Sequence, residues 1–83
     1  MKTHEAIVTV IQDLRWILRT CRVASVLPTE TFEQMLPLSG VALTQAIHDG
    51  CVELRGCIEQ EELAGHTMCA DYLDTTLMLV KSI

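Results

Sequence analysis

Between Thr3 and Ala24 the apolar residues fall at Ile7, Val10, Ile11, Leu14, Ile17, Leu18 and Cys21. Steps of three and four put these side chains in one stripe along an α-helix, a little over 100° wide at about 100° per residue. A strand would alternate every second residue instead. No other feature restricts the chain so strongly, because a stripe of this width has to be covered by a second surface. The same period returns twice downstream. Leu43, Ala46, Ile47, Gly50, Cys51, Leu54, Cys57 and Ile58 mark a second helix, and Met68, Cys69, Tyr72, Leu73, Leu77, Leu79, Val80 and Ile83 wrap about half of a third. A helix apolar over so wide an arc packs on more than one neighbour. The expectation is an all-α fold, a small antiparallel bundle of three main helices at about 3–24, 39–61 and 66–82.

Boundary signals refine this. Thr3 is a candidate N-cap for the first helix, and Val23, Val26 and the Leu27-Pro28 step unwind its end. Thr31-Phe32-Glu33-Gln34 fits a capping box, which predicts a short connecting helix at about 31–36, closed by Pro37, with Phe32, Met35 and Leu36 plugging the bundle's end. Ser39 caps the second long helix. Gly50 inside it costs about 1 kcal/mol relative to alanine, which a close packing contact would offset. The acidic run Glu59–Glu62 leads to Gly65, the natural stop before the last helix.

The 83 residues form a single domain, 1–83. A monomer this short buries only about 60–65% of its unfolded surface, yet 49% of the residues are hydrophobic and mean hydropathy is +0.31. The surplus needs a membrane, a second copy or a partner protein. No run approaches the ~18–20 apolar residues of a membrane span: Ala6–Ile11 is closed by Gln12 and Asp13, and Leu77–Val80 by Lys81. A homodimer or a complex is therefore expected. No secretory signal follows the N-terminus, so the chain is expected to be cytoplasmic, with Cys21, Cys51, Cys57 and Cys69 as reduced thiols.

The net charge of −5 is uneven. Residues 1–27 set Lys2, Arg15, Arg19 and Arg22 against Glu5 and Asp13, whereas residues 28–83 set Arg55 and Lys81 against nine carboxylates. An acidic body argues against a nucleic-acid binder, which needs a basic footprint. Leu38–Ile47 is similar to the turn into a DNA-recognition helix, but that helix would carry Asp49 and Glu53 ahead of Arg55, and carboxylates repel phosphates. A small DNA-associated regulator using the Arg15–Arg22 face survives only as an alternative.

From Gly40-Val41 through Ala46 and Leu54, and again from Ala70-Asp71-Tyr72-Leu73 to Leu79-Val80, residues 39–83 resemble short bacterial proteins of unknown function, common in pseudomonads, that end in a helical hairpin. The resemblance covers about half the chain and implies a hairpin, with no activity, cofactor or site.

Two pairs have metal-ligand spacing: His48-x-x-Cys51 and His66-x-x-Cys69 each place an imidazole and a thiol at i, i+3, and an antiparallel pairing of their helices would bring four ligands together. This makes a metal-binding helical protein the first alternative. The simpler expectation is that the cysteines are structural thiols on apolar stripes, since no CxxC knuckle is present. No histidine stands in sequence beside Cys21, and paired carboxylates such as Asp71 and Asp74 lie on polar faces, so no catalytic residue and no cofactor is assigned.

Trp16 is the most informative residue. It lies about 150° from the centre of the first stripe, among Thr9, Gln12, Thr20 and Val23, with Arg15 and Arg19 on the adjoining edge. An outward tryptophan beside arginines has the composition of an interface hot spot. Alternatively it covers the Val26–Leu38 loop or packs within a homodimer. The sequence thus predicts a small acidic, non-enzymatic protein that regulates or inhibits a protein partner, of antitoxin, immunity, anti-activator, phage-inhibitor or chaperone type. It would use Trp16, Arg15, Arg19 and Gln12, or an acidic face around Glu59, Glu61, Glu62, Asp71 and Asp74.

Overall fold

The computed structural model describes residues 2–83 and contains four helices: α1 (Thr3–Thr20), α2 (Thr29–Glu33), α3 (Gly40–Leu63) and α4 (Thr67–Lys81). The three stripes become three long helices around one core, in which Ile7, Val10, Leu14 and Ile17 of α1 meet Leu54 and Cys57 of α3 and Leu73, Leu77 and Val80 of α4. The α3–α4 hairpin is the centre. α1 packs on α4 and α2, and its backbone does not approach that of α3. Cys21 shares a surface opening with His66 and Cys69 at one end, and Thr3 shares another with Leu43 and Ile83 at the opposite end, so α1 runs antiparallel to α4 and parallel to α3. Among the described residues no helix is long and apolar enough to cross a membrane.

Two parallel helices in sequence need a return path, and residues 21–39 provide it as a fourth wall. The connector descends α3 rung by rung. The backbone N–H groups of Ala24 and Ser25 bond Glu61, the Cys57 thiol donates to the Val26 carbonyl, and the Thr31 hydroxyl donates to Glu53 Oε2 at 2.8 Å. Below these, Phe32 and Met35 sit on Gly50, and Leu38 comes beside Ala46. The α3 positions 61, 57, 53, 50 and 46 are four, four, three and four apart, so they form one face of that helix. A Cβ at Gly50 would lie 2.8 Å from Phe32 Cζ and 2.9 Å from Met35 Cε. The close contact expected at Gly50 is therefore present, and it is made by α2 and the turn after it rather than by a long helix.

Several boundaries differ from expectation. Lys2, not Thr3, is the N-cap residue of α1, Ser39 at the N-cap of α3 makes no side-chain cap bond, and α2 ends at Glu33 rather than near 36. α1 ends at Thr20 rather than near Ala24, because the N–H groups of Ala24 and Ser25, which would bond Thr20 and Cys21 in a continuing helix, are taken by a carboxylate of α3. α2 begins at Thr29 with Pro28 at its N-cap position, and no capping box forms, since the Thr31 hydroxyl is spent on Glu53. α3 continues to Leu63, two residues past Glu61. Its stop is the one foreseen. Gly65 at φ +79° closes a Schellman turn, in which His66 N–H donates to Glu61 O at 2.8 Å and Gly65 N–H to Glu62 O at 3.0 Å.

Candidate functional site

The α1–α4 junction leaves a groove on the surface. On α1, Asp13, Trp16 and Ile17 form one bank, and on α4 Tyr72, Thr75 and Thr76 form the other, enclosing about 370 Å³. Trp16 is 44% exposed. Its ring meets that of Tyr72 edge to face, with centroids 5.1 Å apart and planes at 83°, an arrangement worth about 0.5–1.5 kcal/mol beyond the area it buries. The indole is therefore braced in place with nearly half its surface open to solvent. It does not cover the Val26–Leu38 loop, which lies along α3.

Asp13, Thr75 and Thr76 give the groove acceptor oxygens beside the indole N–H of Trp16 and the phenol of Tyr72. Burial raises the Asp13 carboxyl above its usual pKa, and Asp13 forms no ion pair, those among the described residues being Arg15–Glu33 and His66–Glu61. The Thr75 and Thr76 hydroxyls donate backward along α4, to Asp71 O and Tyr72 O at 3.1 Å each, which leaves the oxygen of exposed Thr75 to accept, whereas Thr76 is buried. A partly desolvated carboxylate beside two aromatic rings is complementary to a cation with an aliphatic stem.

The four residues singled out around Trp16 separate. Gln12 and Arg19, four before and three after it, are exposed neighbours on the outer side of α1. Arg15 turns the other way, donating from Nη2 to Glu33 Oε1 of α2 at 3.1 Å, and leaves the Trp16 groove. Asp13 and Tyr72, not assigned from sequence, take its place.

The proposed acidic face also needs correction, because Glu61 is not on it. Its side chain has no solvent contact, and the carboxylate accepts bonds from Ala24 N–H at 2.9 Å, Ser25 N–H at 2.9 Å, the Ser25 hydroxyl at 2.7 Å and His66 Nδ1 at 3.1 Å. A carboxylate only accepts, so His66 carries its proton on Nδ1. Burial pushes this carboxyl up, but the Ser25, Ala24 and His66 donors pull harder and hold it at about 2. Glu61 is a structural node joining the connector to the α3–α4 turn. One signal for it was present in the sequence: it falls seven after Leu54 and four after Cys57, in phase with the apolar stripe.

The candidate metal ligands do not converge. His48 is exposed midway along α3 and lies 15 positions before the helix ends at Leu63, about 22 Å at 1.5 Å per residue. The hairpin turns at Gly65, so His66 and Cys69 face the end of α3 and not its middle. His48 and Cys51 are also split between solvent and core. Among the described residues no group of three or more His, Cys, Asp or Glu side chains is placed to hold a metal ion. Burial pushes the thiols of Cys57 and Cys69 upward, Cys69 to about 11, the direction opposite to that of an activated nucleophile.

No protein-family model, no curated protein and no solved structure matches the chain.

Proposed function

We propose that this chain is a non-enzymatic cytoplasmic regulator that binds a protein partner through the α1–α4 groove, seating a lysine or arginine of that partner between the Trp16–Tyr72 rings and the Asp13 carboxylate. The observation that carries this reading is the braced, half-exposed Trp16 in a groove beside the Asp13 carboxylate, which forms no ion pair. Tryptophan is enriched among the few interface residues that dominate affinity, and it serves best where little ordering remains to be done on binding. Gln12 and Arg19 supply a polar rim. The chain's net charge of −5 steers basic partners toward it.

The test is affinity capture from the native cell with the full chain and with Trp16→Ala, Asp13→Asn and Arg15→Ala, alongside sedimentation of the free protein. A hot-spot tryptophan is worth about 2 kcal/mol or more, about thirtyfold in Kd. Trp16→Ala and Asp13→Asn are expected to lose the complex while Arg15→Ala keeps it, with helical circular dichroism unchanged in all three. Complexes retained by both groove variants would overturn the reading. So would a concentration-dependent doubling of mass that Trp16→Ala abolishes, since the groove would then hold a second copy of the chain.

A further inference from the structure

Where α1 finishes and α4 begins, two cysteines from different helices meet. Cys21 follows the last residue of α1 and is half-buried, and Cys69 is the third residue of α4 and is buried. Cys69 Sγ is 4.0 Å from the carbonyl of Arg22, the residue after Cys21, which brings the two cysteines side by side. Both line a surface opening of about 330 Å³ together with Thr20, Arg22 and His66. The other two thiols are differently placed: Cys57 donates to the Val26 carbonyl at 3.4 Å, and Cys51 sits in the core.

We propose that Cys21 and Cys69 are a redox-responsive dithiol, a modification site for low-molecular-weight disulfides such as oxidised glutathione, closing into an intramolecular disulfide that ties the end of α1 to the start of α4. The inference stands on this juxtaposition and is independent of partner binding at the groove. Cys21, the more accessible thiol, reacts first. Its thiolate attacks one sulfur of oxidised glutathione, the glutathione S–S bond breaks, and one glutathione leaves and takes up a proton. Cys69 then releases its proton to water, and its thiolate attacks the Cys21 sulfur, expelling the second glutathione. Two protein S–H bonds are lost, one S–S bond is made, and the glutathione disulfide is reduced to two thiols. Burial of Cys69 makes its thiolate scarce at neutral pH, so the second step is the slow one and accelerates as pH rises.

The experiment exposes the fully reduced chain, folded and free of reductant, to excess oxidised glutathione, then unfolds it in an alkylating agent and reads the mass. The expected product is an unadducted monomer lighter by two hydrogens, with two thiols alkylated, mapping to Cys51 and Cys57, and one cross-linked peptide joining Cys21 to Cys69. Cys69→Ser should stop at a glutathione adduct on Cys21, Cys21→Ser should form no cross-link, and Cys51→Ser should behave as the parent. Substitution of buried Cys69 risks the fold, so the parent chain's mass and peptide map decide by themselves. Four free thiols, a Cys21 adduct that never resolves, or disulfides between chains would each overturn the proposal.

Discussion

Replacing Glu61 with glutamine is expected to remove about 3 kcal/mol of stability at neutral pH, although the side chain keeps its shape. The folded chain holds the carboxyl at about 2 against an ordinary 4.5. Each tenfold difference in proton affinity is worth about 1.4 kcal/mol, so the ionised form contributes about 3 kcal/mol once the pH is above the unfolded value. The hydrogen bonds give a similar figure. An amide NH₂ in place of Oε2 faces the Ser25 N–H at 2.9 Å and the Ser25 hydroxyl at 2.7 Å, and a bond to a charged acceptor is worth about 1.5–3 kcal/mol. A domain of this length has about 4–12 kcal/mol to lose from. Because the folded-state pKa is depressed, this stabilisation is complete above the unfolded value and disappears as pH falls from 4.5 toward about 2. Urea unfolding at neutral pH and at several points across that window, followed by Trp16 fluorescence and circular dichroism, measures both quantities. The parent chain should lose about 3 kcal/mol more than Glu61→Gln between the upper and lower ends. If the two proteins differ by less than about 0.5 kcal/mol at neutral pH, or decline in parallel on acidification, the carboxylate does not hold the connector.

Two other substitutions test the packing of that connector. Gly50→Ala gains up to about 1 kcal/mol of helix propensity, but its Cβ would meet the fully buried Phe32 ring at 2.8 Å; overpacking of this kind costs about 1–3 kcal/mol, so a net loss of about 1 kcal/mol is expected, and a rise in the urea midpoint would contradict the close approach. Arg15→Ala and Glu33→Ala remove an ion pair whose partners are 55% and 44% exposed, so a double-mutant cycle should give a coupling under about 0.5 kcal/mol that fades with added salt.

What the sequence revealed and what it hid divide by the range of the interactions. The three long helices were legible because an apolar stripe is a property of one segment, and so was the stop at Gly65, since every atom of a Schellman turn lies within six residues. The end of α1 was not legible. It depends on a carboxylate 37 positions from Ala24, and nothing near Val23 announces that contact. Thr31 misled for a related reason, its hydroxyl having both a local capping role and a distant acceptor, Glu53. At the candidate site the outward place of Trp16 could be read from the helical wheel, but its neighbours could not. Arg15 and Arg19 look equivalent beside it until α2 and α4 dock on opposite flanks of α1, after which Arg15 belongs to Glu33 and Tyr72 belongs to Trp16.

The same division explains why residues 21–25 carry so much of the fold. α1 packs on α4 and α2 but does not approach the backbone of α3, so its backbone tie to α3 runs through the chain that leaves it. Two unrelated contacts secure that chain from different helices: Cys69 of α4 reaches the Arg22 carbonyl, and Glu61 of α3 gathers the N–H groups of Ala24 and Ser25. Both sit beside the Gly65 turn, where α3 ends and α4 begins. Three residues of connector are therefore anchored to both arms of the hairpin, and the bank of the groove carried by α1, with Trp16 only five residues before Cys21, inherits its position from them. A groove built between two helices keeps its width only if their ends are held, and here that hold is polar and sulfur chemistry at one end, acting on a junction whose middle is oil.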